Sequence, residues 1–276
     1  MSQLERWLIG LDIDGTLVHD DGFLSERVVE QVQRVRSLGH EVVIATGRAA
    51  ANAYPVIKDL NVTMRHAVCS NGAVTIRLDS EHPRGFAVHD VKTFEPAAVL
   101  TQLIEHLPNA HFAVEDVDGS YRFHKPFPAY ALGDVNHEAP LEELMHKPVS
   151  RVVVLSPDHD VEEFLGVMAN VGLQSVSYAI GYTAWLDIAP QGIDKGHGLE
   201  QLRQHYDIPG HRTLVMGDGR NDIEMFRWAR GLGGHAFAMG QAPDEVKLEA
   251  TAVTAAVDQD GVAQVLEALE GLEFLQ

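Results

Sequence analysis

The sequence predicts an α/β protein built on a parallel, doubly wound sheet that is interrupted by an inserted α+β segment. Short apolar runs typical of buried strands alternate with helical patterns before residue 80 and again after residue 186. Between these two parts the chain changes to short strands mixed with helices. We therefore expect residues 1–80 and 187–276 to form one Rossmann-like core, and residues 81–186 to form an α+β domain inserted into it.

The first apolar run starts at Trp7 and ends in two carboxylates, Asp12 and Asp14, followed directly by Gly15-Thr16. Residues two apart in a strand point to the same face, so the two aspartates should converge where Gly15 lets the chain turn sharply. Converging carboxylates repel unless a cation lies between them or one keeps its proton. The alternative is a strand that merely ends in an acidic turn, and a lone Asp-x-Asp does not separate the two interpretations.

The next elements place a second polar strand end beside the first. Ser25 predicts the start of a helix that Gly39 ends, and Glu41–Ala45 predicts a strand that leads into Thr46-Gly47-Arg48. Strand, helix and strand in this order form a right-handed parallel unit, in which ligands bind beyond the carboxyl ends of the strands. Thr46 and the two aspartates should therefore lie on the same edge of the sheet.

The rest of the core continues this alternation. Further strands are predicted at residues 67–70, 73–78, 213–216, 235–239 and 251–254. Helices are predicted after Arg48, up to Tyr206, and at residues 223–229, 244–249 and 262–269. Two polar loops precede helices in the second half: one contains Lys195, and the other reads Gly217-Asp218-Gly219-Arg220-Asn221-Asp222.

The inserted segment has a different pattern. Its predicted strands are residues 112–117, 121–123, 152–155 and 175–179, and its predicted helices are residues 96–106 and 161–171. Strand alternation places Arg122 and His124 on one face and Tyr121, Phe123 and Lys125 on the other. Either face could contact a substrate, while the simpler interpretation is a solvated face beside a buried one.

Composition limits the cellular setting and the partners. The chain has 276 residues, 45% of them hydrophobic, which is enough for two cores. It has no apolar stretch long enough to span a bilayer and no signal-peptide layout, and its single cysteine, Cys69, cannot form an internal disulfide, so we expect a cytoplasmic protein. The formal net charge of −19 argues against nucleic acid or anionic membrane as a partner. The 15 histidines are scattered without a metal-site spacing.

In chain order, the sheet edge thus receives a carboxylate pair, a hydroxyl, a lysine and an acidic loop. This order resembles the four motifs of the haloacid dehalogenase superfamily of phosphotransferases, and the insertion resembles the class IIB cap of its Cof-type sugar-phosphatase family. The resemblance covers nearly the whole chain and includes Ser70-Asn71-Gly72, Ala238-Met239-Gly240 and Asp260-Gly261-Val262. Gln241 departs from it, because the family usually has Asn there, and we attach no functional weight to this change.

The resemblance implies roles for the acidic residues. Asp12 is expected to be the nucleophile that forms an aspartyl-phosphate. Asp14 is expected to protonate the leaving oxygen and then to activate water. Mg²⁺ is the expected cofactor, held by Asp12, Asp218 and the backbone carbonyl of Asp14. Asp222 is expected to orient Lys195 or a water on the metal.

The remaining site residues are expected to bind the phosphate group. Thr46 and the Gly47 amide would donate hydrogen bonds to the phosphoryl oxygens, and Lys195 would supply a positive charge. Asn221 would contact the phosphoryl group or a water on the metal, and Arg48 would contact the substrate or the cap. Taken alone, Thr46 would be interpreted as a hydroxyl that closes a strand, and Lys195 as a surface lysine.

These expectations predict a Mg²⁺-dependent phosphatase that acts on a small phosphorylated metabolite, a sugar phosphate, with specificity set by the cap. Substitutions such as Arg122→Ala or His124→Ala are then expected to change substrate preference. Two alternatives stay open: a phosphosugar mutase of the same superfamily, and a non-catalytic phosphate-binding regulatory protein. The sequence indicates no oligomeric state.

Overall fold

The computed structural model describes residues 6–129, 131–171, 176–180 and 184–269. Its strands, numbered in chain order, are β1 (Leu8–Leu11), β2 (Glu41–Ala45), β3 (His66–Cys69), β4 (Val74–Leu78), β5 (Phe86–Val91), β6 (His111–Glu115), β7 (Tyr121–Phe123), β8 (Asn136–Glu138), β9 (Arg151–Leu155), β10 (Val176–Ile180), β11 (Trp185–Pro190), β12 (Thr213–Gly217), β13 (His235–Ala238) and β14 (Ala252–Val253). Its helices are α1 (Glu26–Ser37), α2 (Ala50–Asp59), α3 (Ala97–His106), α4 (Val161–Val171), α5 (Lys195–His205), α6 (Ile223–Gly231), α7 (Asp244–Glu249) and α8 (Gly261–Glu267).

Eight strands form the core sheet in the order β14-β13-β12-β1-β2-β3-β4-β5. The strands from β14 to β3 are parallel, and β4 and β5 extend one edge as antiparallel strands. Helices α1, α2 and α8 pack on one face of this sheet, and α5, α6 and α7 pack on the other. The predicted doubly wound, mostly parallel sheet is therefore confirmed.

Alternation along the strands builds a hydrophobic layer on each face of the core sheet. In β1, Ile9 and Leu11 pack with α1, α2 and α8, whereas Leu8 packs with α5 and α6. In β2, Val43 faces α5 and Ile44 faces the opposite layer. Because both faces are covered, such strands read as continuous apolar runs in the sequence.

The second sheet has six strands in the order β10-β11-β9-β6-β7-β8. Its pairs are antiparallel except for β7 and β8. Helices α3 and α4 cover one face through Leu100, Leu103 and Phe164. On the other face, Ala113 and Tyr121 share a cluster with Ala49, which stands just before α2 of the core. The second sheet thus turns its helix-free face toward the carboxyl edge of the core sheet.

The chain passes from the core sheet to the second sheet and back again at positions that differ from the predicted domain boundaries. Residues 86–91 form β5 of the core sheet, and residues 187–190 continue β11 of the second sheet, so the changes fall near residues 92 and 190. Three strands were not predicted: β5, a partly exposed edge strand with polar residues, β8, whose three residues are all exposed, and β11 at the predicted domain boundary. The other predicted elements agree within about two residues, and Ser175, the predicted start of β10, lies outside the described residues.

Among the helices in the described ranges, none combines the length and the hydrophobicity that crossing a membrane would require.

Candidate active site

Three chain segments bring charged side chains together at the carboxyl edge of the core sheet. Asp12 follows β1 and is anchored by its amide to the Met216 carbonyl at 3.1 Å. Asp218 follows β12, and Lys195 is the first residue of α5. The side chains of Asp12, Lys195 and Asp218 are all buried. The structure therefore brings together the first, third and fourth of the predicted polar segments.

The ammonium group of Lys195 lies between two carboxylates. Its Nζ donates to Asp12 Oδ1 at 2.8 Å and to Asp222 Oδ1 at 2.7 Å, and the side chain is fully buried. Burial lowers the pKa of Lys195, but the charges of Asp12 and Asp222 outweigh it and hold that pKa above its ordinary value. Lys195 is thus a fixed cation at the base of the site.

Asp222 also shapes the acidic loop. Its Oδ2 accepts hydrogen bonds from the backbone amides of Asp218 and Gly219, each at 2.9 Å. The position before this loop has no room for a side chain, since a Cβ on Gly217 would stand 2.3 Å from Asp222 Cγ. The contact that we expected between Asp222 and Lys195 is present, and it leaves both Asp222 oxygens engaged.

Carboxylate oxygens of Asp12, Asp218 and Asp222 all lie within 4.8 Å of one another. Burial raises the pKa of Asp12 well above its ordinary value, and Asp222 raises it further despite Lys195. One lysine against three clustered carboxylates leaves negative charge that a divalent cation would neutralise. Because Asp222 is already engaged through both oxygens, Asp12 and Asp218 are the members that fit Mg²⁺, which prefers few carboxylates and several waters.

Asp14 lies apart from this acidic group. Its side chain is 61% exposed and pairs with Arg48, with 2.9 Å from Nε to Oδ2 and 2.5 Å from Nη2 to Oδ1. The hydrogen bond to Asp14 raises the pKa of Arg48, despite an opposing effect of burial. Asp14 was expected to contact the metal through its backbone carbonyl, and that role stays a prediction.

Thr46 is fully buried at the end of β2. Its Oγ1 accepts the backbone amide of Arg48 at 3.1 Å, and so it closes the turn that carries Gly47. Gly47 and Arg48 both line the cleft described below. The predicted contact between Thr46 and a phosphoryl oxygen stays a prediction.

Asn221 contacts a residue that the sequence analysis left without a role. Its Nδ2 donates to Asn71 Oδ1 at 3.0 Å, and Asn71 Nδ2 donates to Asp187 Oδ2 at 3.4 Å. Ser70 and Asn71 both have a φ of +51°, which non-glycine residues rarely adopt. Such strained pairs cluster at functional sites, and the Ser-Asn-Gly directly after a strand was the available signal.

The structural role of Gln241 was also missed, although the sequence analysis noted this residue as a departure from the family pattern. Its Nε2 donates to the Gly15 carbonyl at 2.5 Å, and its Oε1 accepts the Val257 amide at 3.1 Å. Gly15 has a φ of +69°, and a Cβ there would stand 2.2 Å from Asp218 Oδ2. Gln241 therefore holds the turn after the two aspartates where it abuts Asp218.

An open cleft of about 1090 Å³ lies between the carboxyl edge of the core sheet and the second sheet. The core contributes the loops just described. Residues from the inserted segment complete the wall: Ala131, Leu132, Gly133, Asp134, Asn136, Arg151, Trp185 and Asp187. The cleft therefore has a polar, partly acidic floor and a mixed wall that includes one large aromatic side chain.

Arg151 connects the second sheet to the floor of the cleft. This buried side chain donates through Nη1 to the Gly47 carbonyl and through Nη2 to Tyr121 Oη at 2.7 Å. Its Nη1 also lies 3.4 Å from Asp187 Oδ1. Beside it, Ser70 Oγ donates to a Glu115 carboxylate oxygen at 2.7 Å. These contacts link the second sheet to both polar turns of the core.

The structure does not place Arg122 and His124 in the cleft. Arg122 pairs across the sheet with Val114, which packs against α3 and α4, and it is held by Asp116 at 2.8 and 2.9 Å. The His124 ring stacks near Phe112 on that same side. The expectation that these two side chains set substrate preference is therefore wrong, because their face is turned away from the core.

A buried lysine between carboxylates, beside an acidic group that could hold a metal ion at the carboxyl edge of a parallel sheet, is a candidate active site suited to an anionic substrate. Residues 9–266 match the family model of haloacid dehalogenase-like hydrolases. The chain is 29% identical over 274 residues to the 5-amino-6-(5-phospho-D-ribitylamino)uracil phosphatase YitU of Bacillus subtilis, covering 96% of this chain and 98% of that protein. It is 26% identical over 261 residues to a phosphoglycolate phosphatase of Archaeoglobus fulgidus, covering 95% and 96%.

Solved structures show the same fold. The subclass IIB sugar phosphatase BT4131 superposes with a TM-score of 0.79 at 23% identity, over 96% of this chain and 99% of that one. A haloacid dehalogenase-like hydrolase from B. subtilis gives a TM-score of 0.78 at 21% identity, over 95% and 99%. The chain belongs to the haloacid dehalogenase-like hydrolases, and it is a phosphatase of that superfamily with a subclass IIB type of fold.

Proposed function

We propose that this phosphatase is Mg²⁺-dependent and hydrolyses a small sugar or polyol phosphate through an aspartyl-phosphate on Asp12. The observation that carries the proposal is the position of Asp12, whose Oδ1 accepts from Lys195 at 2.8 Å at the floor of a cleft. Among the described hydrogen bonds, none is accepted by Oδ2 of Asp12, so this oxygen is available to attack phosphorus. Full occupation of the expected catalytic positions argues against the alternative of a non-catalytic binding protein.

In the first step, Asp12 Oδ2 attacks the phosphorus of the bound ester and the bond from phosphorus to the ester oxygen breaks. Asp14 gives its proton to the leaving oxygen, so the alcohol departs neutral. For this, Arg48 turns from Asp14 to the phosphate group, which frees the carboxyl group at the mouth of the cleft. Lys195 stabilises the negative charge on the transferring group. Mg²⁺, held by Asp12 and Asp218, would supply further charge neutralisation there.

In the second step, Asp14 takes a proton from a water molecule, and the resulting hydroxide attacks phosphorus. The bond from phosphorus to Asp12 breaks, which releases inorganic phosphate and restores the carboxylate. Asp222 keeps Lys195 in place throughout, since it contacts the ammonium at 2.7 Å. A buried, preorganised cation of this kind needs no rearrangement during either step.

The division of labour between the two parts of the chain belongs to the same proposal. The core carries the chemistry. It comprises residues 1–80 and 187–276, with β5 added and the end of β11 assigned to the second sheet. The inserted segment, residues 81–186 together with the end of β11, selects the leaving group. A cleft of about 1090 Å³ exceeds the needs of a bare phosphate, and pockets for small ligands commonly span about 300–1,000 Å³.

The substrate class is proposed from the cleft wall and from the relatives. Trp185, Asn136 and Asp134 offer an aromatic face and polar groups to an alcohol-rich leaving group. YitU is named for a phosphorylated ribityl chain on a uracil ring, which combines a polyol with a planar heterocycle. A release assay over sugar phosphates, polyol phosphates and ribityl-pyrimidine phosphates tests this class. Isomerised sugar phosphate with little free phosphate would instead identify a phosphosugar mutase.

Removal of divalent cations is expected to abolish phosphate release, and Mg²⁺ is expected to restore it. Ca²⁺ should restore it poorly, because its larger and looser coordination shell disturbs the geometry of in-line transfer. The measurement is the initial rate of phosphate release after exhaustive chelation and after each cation is added back. Asp218→Asn should shift the Mg²⁺ dependence to higher concentration. Undiminished activity in the chelated wild-type protein would contradict the assignment of a metal cofactor.

Trp185→Ala is expected to raise KM for a natural substrate by about 3- to 10-fold, the range of one aromatic contact. The rate with acetyl phosphate, whose leaving group is only acetate, should change much less. Leu165→Ala is the control, since this exposed side chain lies on α4, on the opposite face of the second sheet. Equal losses on both substrates would show that Trp185 does not contact the leaving group.

A further inference from the structure

Three histidines that are distant in sequence meet at the opposite end of the core sheet from the active site. His66 is the first residue of β3, and His205 is the last residue of α5. His89 lies in β5 at a β-bulge, because Ile76 pairs with Val88 and Thr75 pairs with Asp90, which leaves His89 as the additional residue. Bulges of this kind re-aim a side chain, and here the bulged residue contacts the other two imidazoles.

His66 has one occupied and one unoccupied ring nitrogen. Its Nδ1 is 2.5 Å from Tyr206 Oη, while its Nε2 is buried without a hydrogen-bond partner in the described part of the chain. The residue is only 5% exposed. When Nδ1–H donates to Tyr206, a lone pair on Nε2 faces no protein donor, which is costly for a buried polar atom.

The three ring centroids lie close enough for one metal, but the ring nitrogens do not all lie within 4.8 Å of one another as the rings stand, so the exposed rings must rotate to bind a metal. Ring centroids are 4.6 Å apart for His66 and His89, 5.5 Å for His66 and His205, and 5.9 Å for His89 and His205. Tetrahedral Zn²⁺ with bonds of about 2.0–2.1 Å to nitrogen places the centroids of its imidazole ligands roughly 5 Å apart. His89 and His205 are exposed, and no hydrogen bond holds either ring within the described residues.

We propose that His66, His89 and His205 form a second metal site, distinct from the active site, for a borderline divalent cation such as Zn²⁺. His66 supplies Nε2 from the buried side of the cluster. The exposed rings of His89 and His205 rotate about their χ2 torsions, so that each brings one nitrogen to the metal. Water completes the tetrahedron. The hydrogen bond between His66 Nδ1 and Tyr206 Oη would orient the imidazole ring, as a partner of the non-ligating nitrogen does for other metal-binding histidines. Imidazole donors favour Zn²⁺ over Mg²⁺, which separates this site from the carboxylates of the active site.

The charges around the cluster are partly compensated. Arg65 and Arg77 are the cations nearest to His66, and both oppose a bound metal. Arg65 lies 3.6 Å from Glu41 Oε1 and over the ring of Tyr206, and Arg77 lies 3.2 Å from Asp79. The overall charge of −19 favours cations. A metal held here would tie the edge strand β5 to β3 and to the end of α5, and so would stabilise the antiparallel edge of the core sheet.

The test is Zn²⁺ uptake by equilibrium dialysis in excess Mg²⁺, which occupies the carboxylates but not the imidazoles. The wild-type chain is expected to bind one Zn²⁺ in this way. His89→Ala and His205→Ala should each weaken the binding by at least about 10-fold, and Tyr206→Phe by about 10- to 100-fold. His106→Ala is the control, because this exposed histidine lies on α3 of the inserted segment. Zn²⁺ should raise the melting temperature of the wild type and of the control, but not of the two ligand variants.

The three variants at exposed histidines should fold normally, and their melting without metal checks this. Phosphate release is not a readout of this site, so failure of the proposed phosphatase mechanism would leave the result unaffected. Binding of Zn²⁺ to His89→Ala and His205→Ala as tightly as to the wild type would overturn the proposal. So would the absence of any Zn²⁺ uptake by the wild-type chain in excess Mg²⁺.

Discussion

Asp12→Asn is expected to lower the rate of phosphate release by at least about 10⁴-fold on every phosphate ester tested, as removal of a nucleophile does in other covalent enzymes. The amide keeps the shape of the side chain but cannot attack phosphorus. The loss should appear equally with a sugar phosphate and with para-nitrophenyl phosphate, because Asp12 acts on the phosphoryl group common to both. The measurement is the initial rate on both substrates at saturating Mg²⁺.

The same variant should fold at least as well as the wild type in the absence of metal. Burial and Asp222 raise the pKa of Asp12, so the folded state holds the charged form of this side chain less favourably than the unfolded state does. A carboxyl group with a raised pKa contributes stability at low pH that is lost as pH rises through that pKa, and a neutral amide does not lose it. We therefore expect the metal-free variant to melt no lower than the wild type at neutral pH. An Asn variant that keeps more than about a tenth of the activity, a difference of roughly 1.4 kcal/mol, would rule out Asp12 as the nucleophile.

Lys195→Met is expected to be the second most damaging change, with a loss of about 10²–10³-fold in rate or more. It removes the fixed cation from the phosphoryl site and leaves Asp12 and Asp222 without their shared partner. Breaking a buried ion pair on one side typically costs about 3–5 kcal/mol of stability, so the metal-free variant should also melt lower. Rate and melting temperature are measured on the same samples.

A double variant separates the two consequences of losing Lys195. Lys195→Met combined with Asp222→Asn removes both partners of one ion pair, so part of the lost stability should return. Activity should not return, because no cation faces the phosphoryl group. Recovery of activity together with stability would show that Lys195 acts only by holding the fold, and would contradict its catalytic role.

The fold and the centre of the site could be predicted from the sequence because both depend on local patterns joined by a general rule. Asp12, Asp218 and the turn after β2 each end a buried parallel strand, and strand ends of such a sheet meet at one edge. The contact between Lys195 and Asp222 follows from the same rule, since each opens a helix on that edge. No contact from the inserted segment had to be known.

The contacts made across the two sheets could not be predicted in this way. Arg151 reaches Gly47 across 104 positions in the sequence, and nothing near either residue signals the other. The face of β7 that meets the core depends on its pairing with β6, and the alternation around Arg122 fits either face equally well. The pairing of Asp14 with Arg48 was not predicted either. The sequence analysis gave each residue another partner, and their contact depends on side-chain geometry.

The histidine cluster illustrates the same limit. His66, His89 and His205 have no spacing that a sequence pattern would reveal, and the bulge that re-aims His89 exists only in the pairing of β4 with β5. Gln241 was visible in the sequence as a departure, but its contact with the Gly15 carbonyl depends on how the loop after β13 folds back. Long-range packing decides both cases.

The most direct test of the central claim is to trap the phosphorylated enzyme. Wild-type protein is mixed with substrate and Mg²⁺, quenched in acid within the first turnover, digested, and examined by mass spectrometry. The mechanism predicts one added phosphoryl group on the peptide that contains Asp12, and none in the Asp12→Asn variant treated identically. Rapid release of inorganic phosphate with no phosphorylated peptide, or with the phosphoryl group on another residue, would contradict the mechanism.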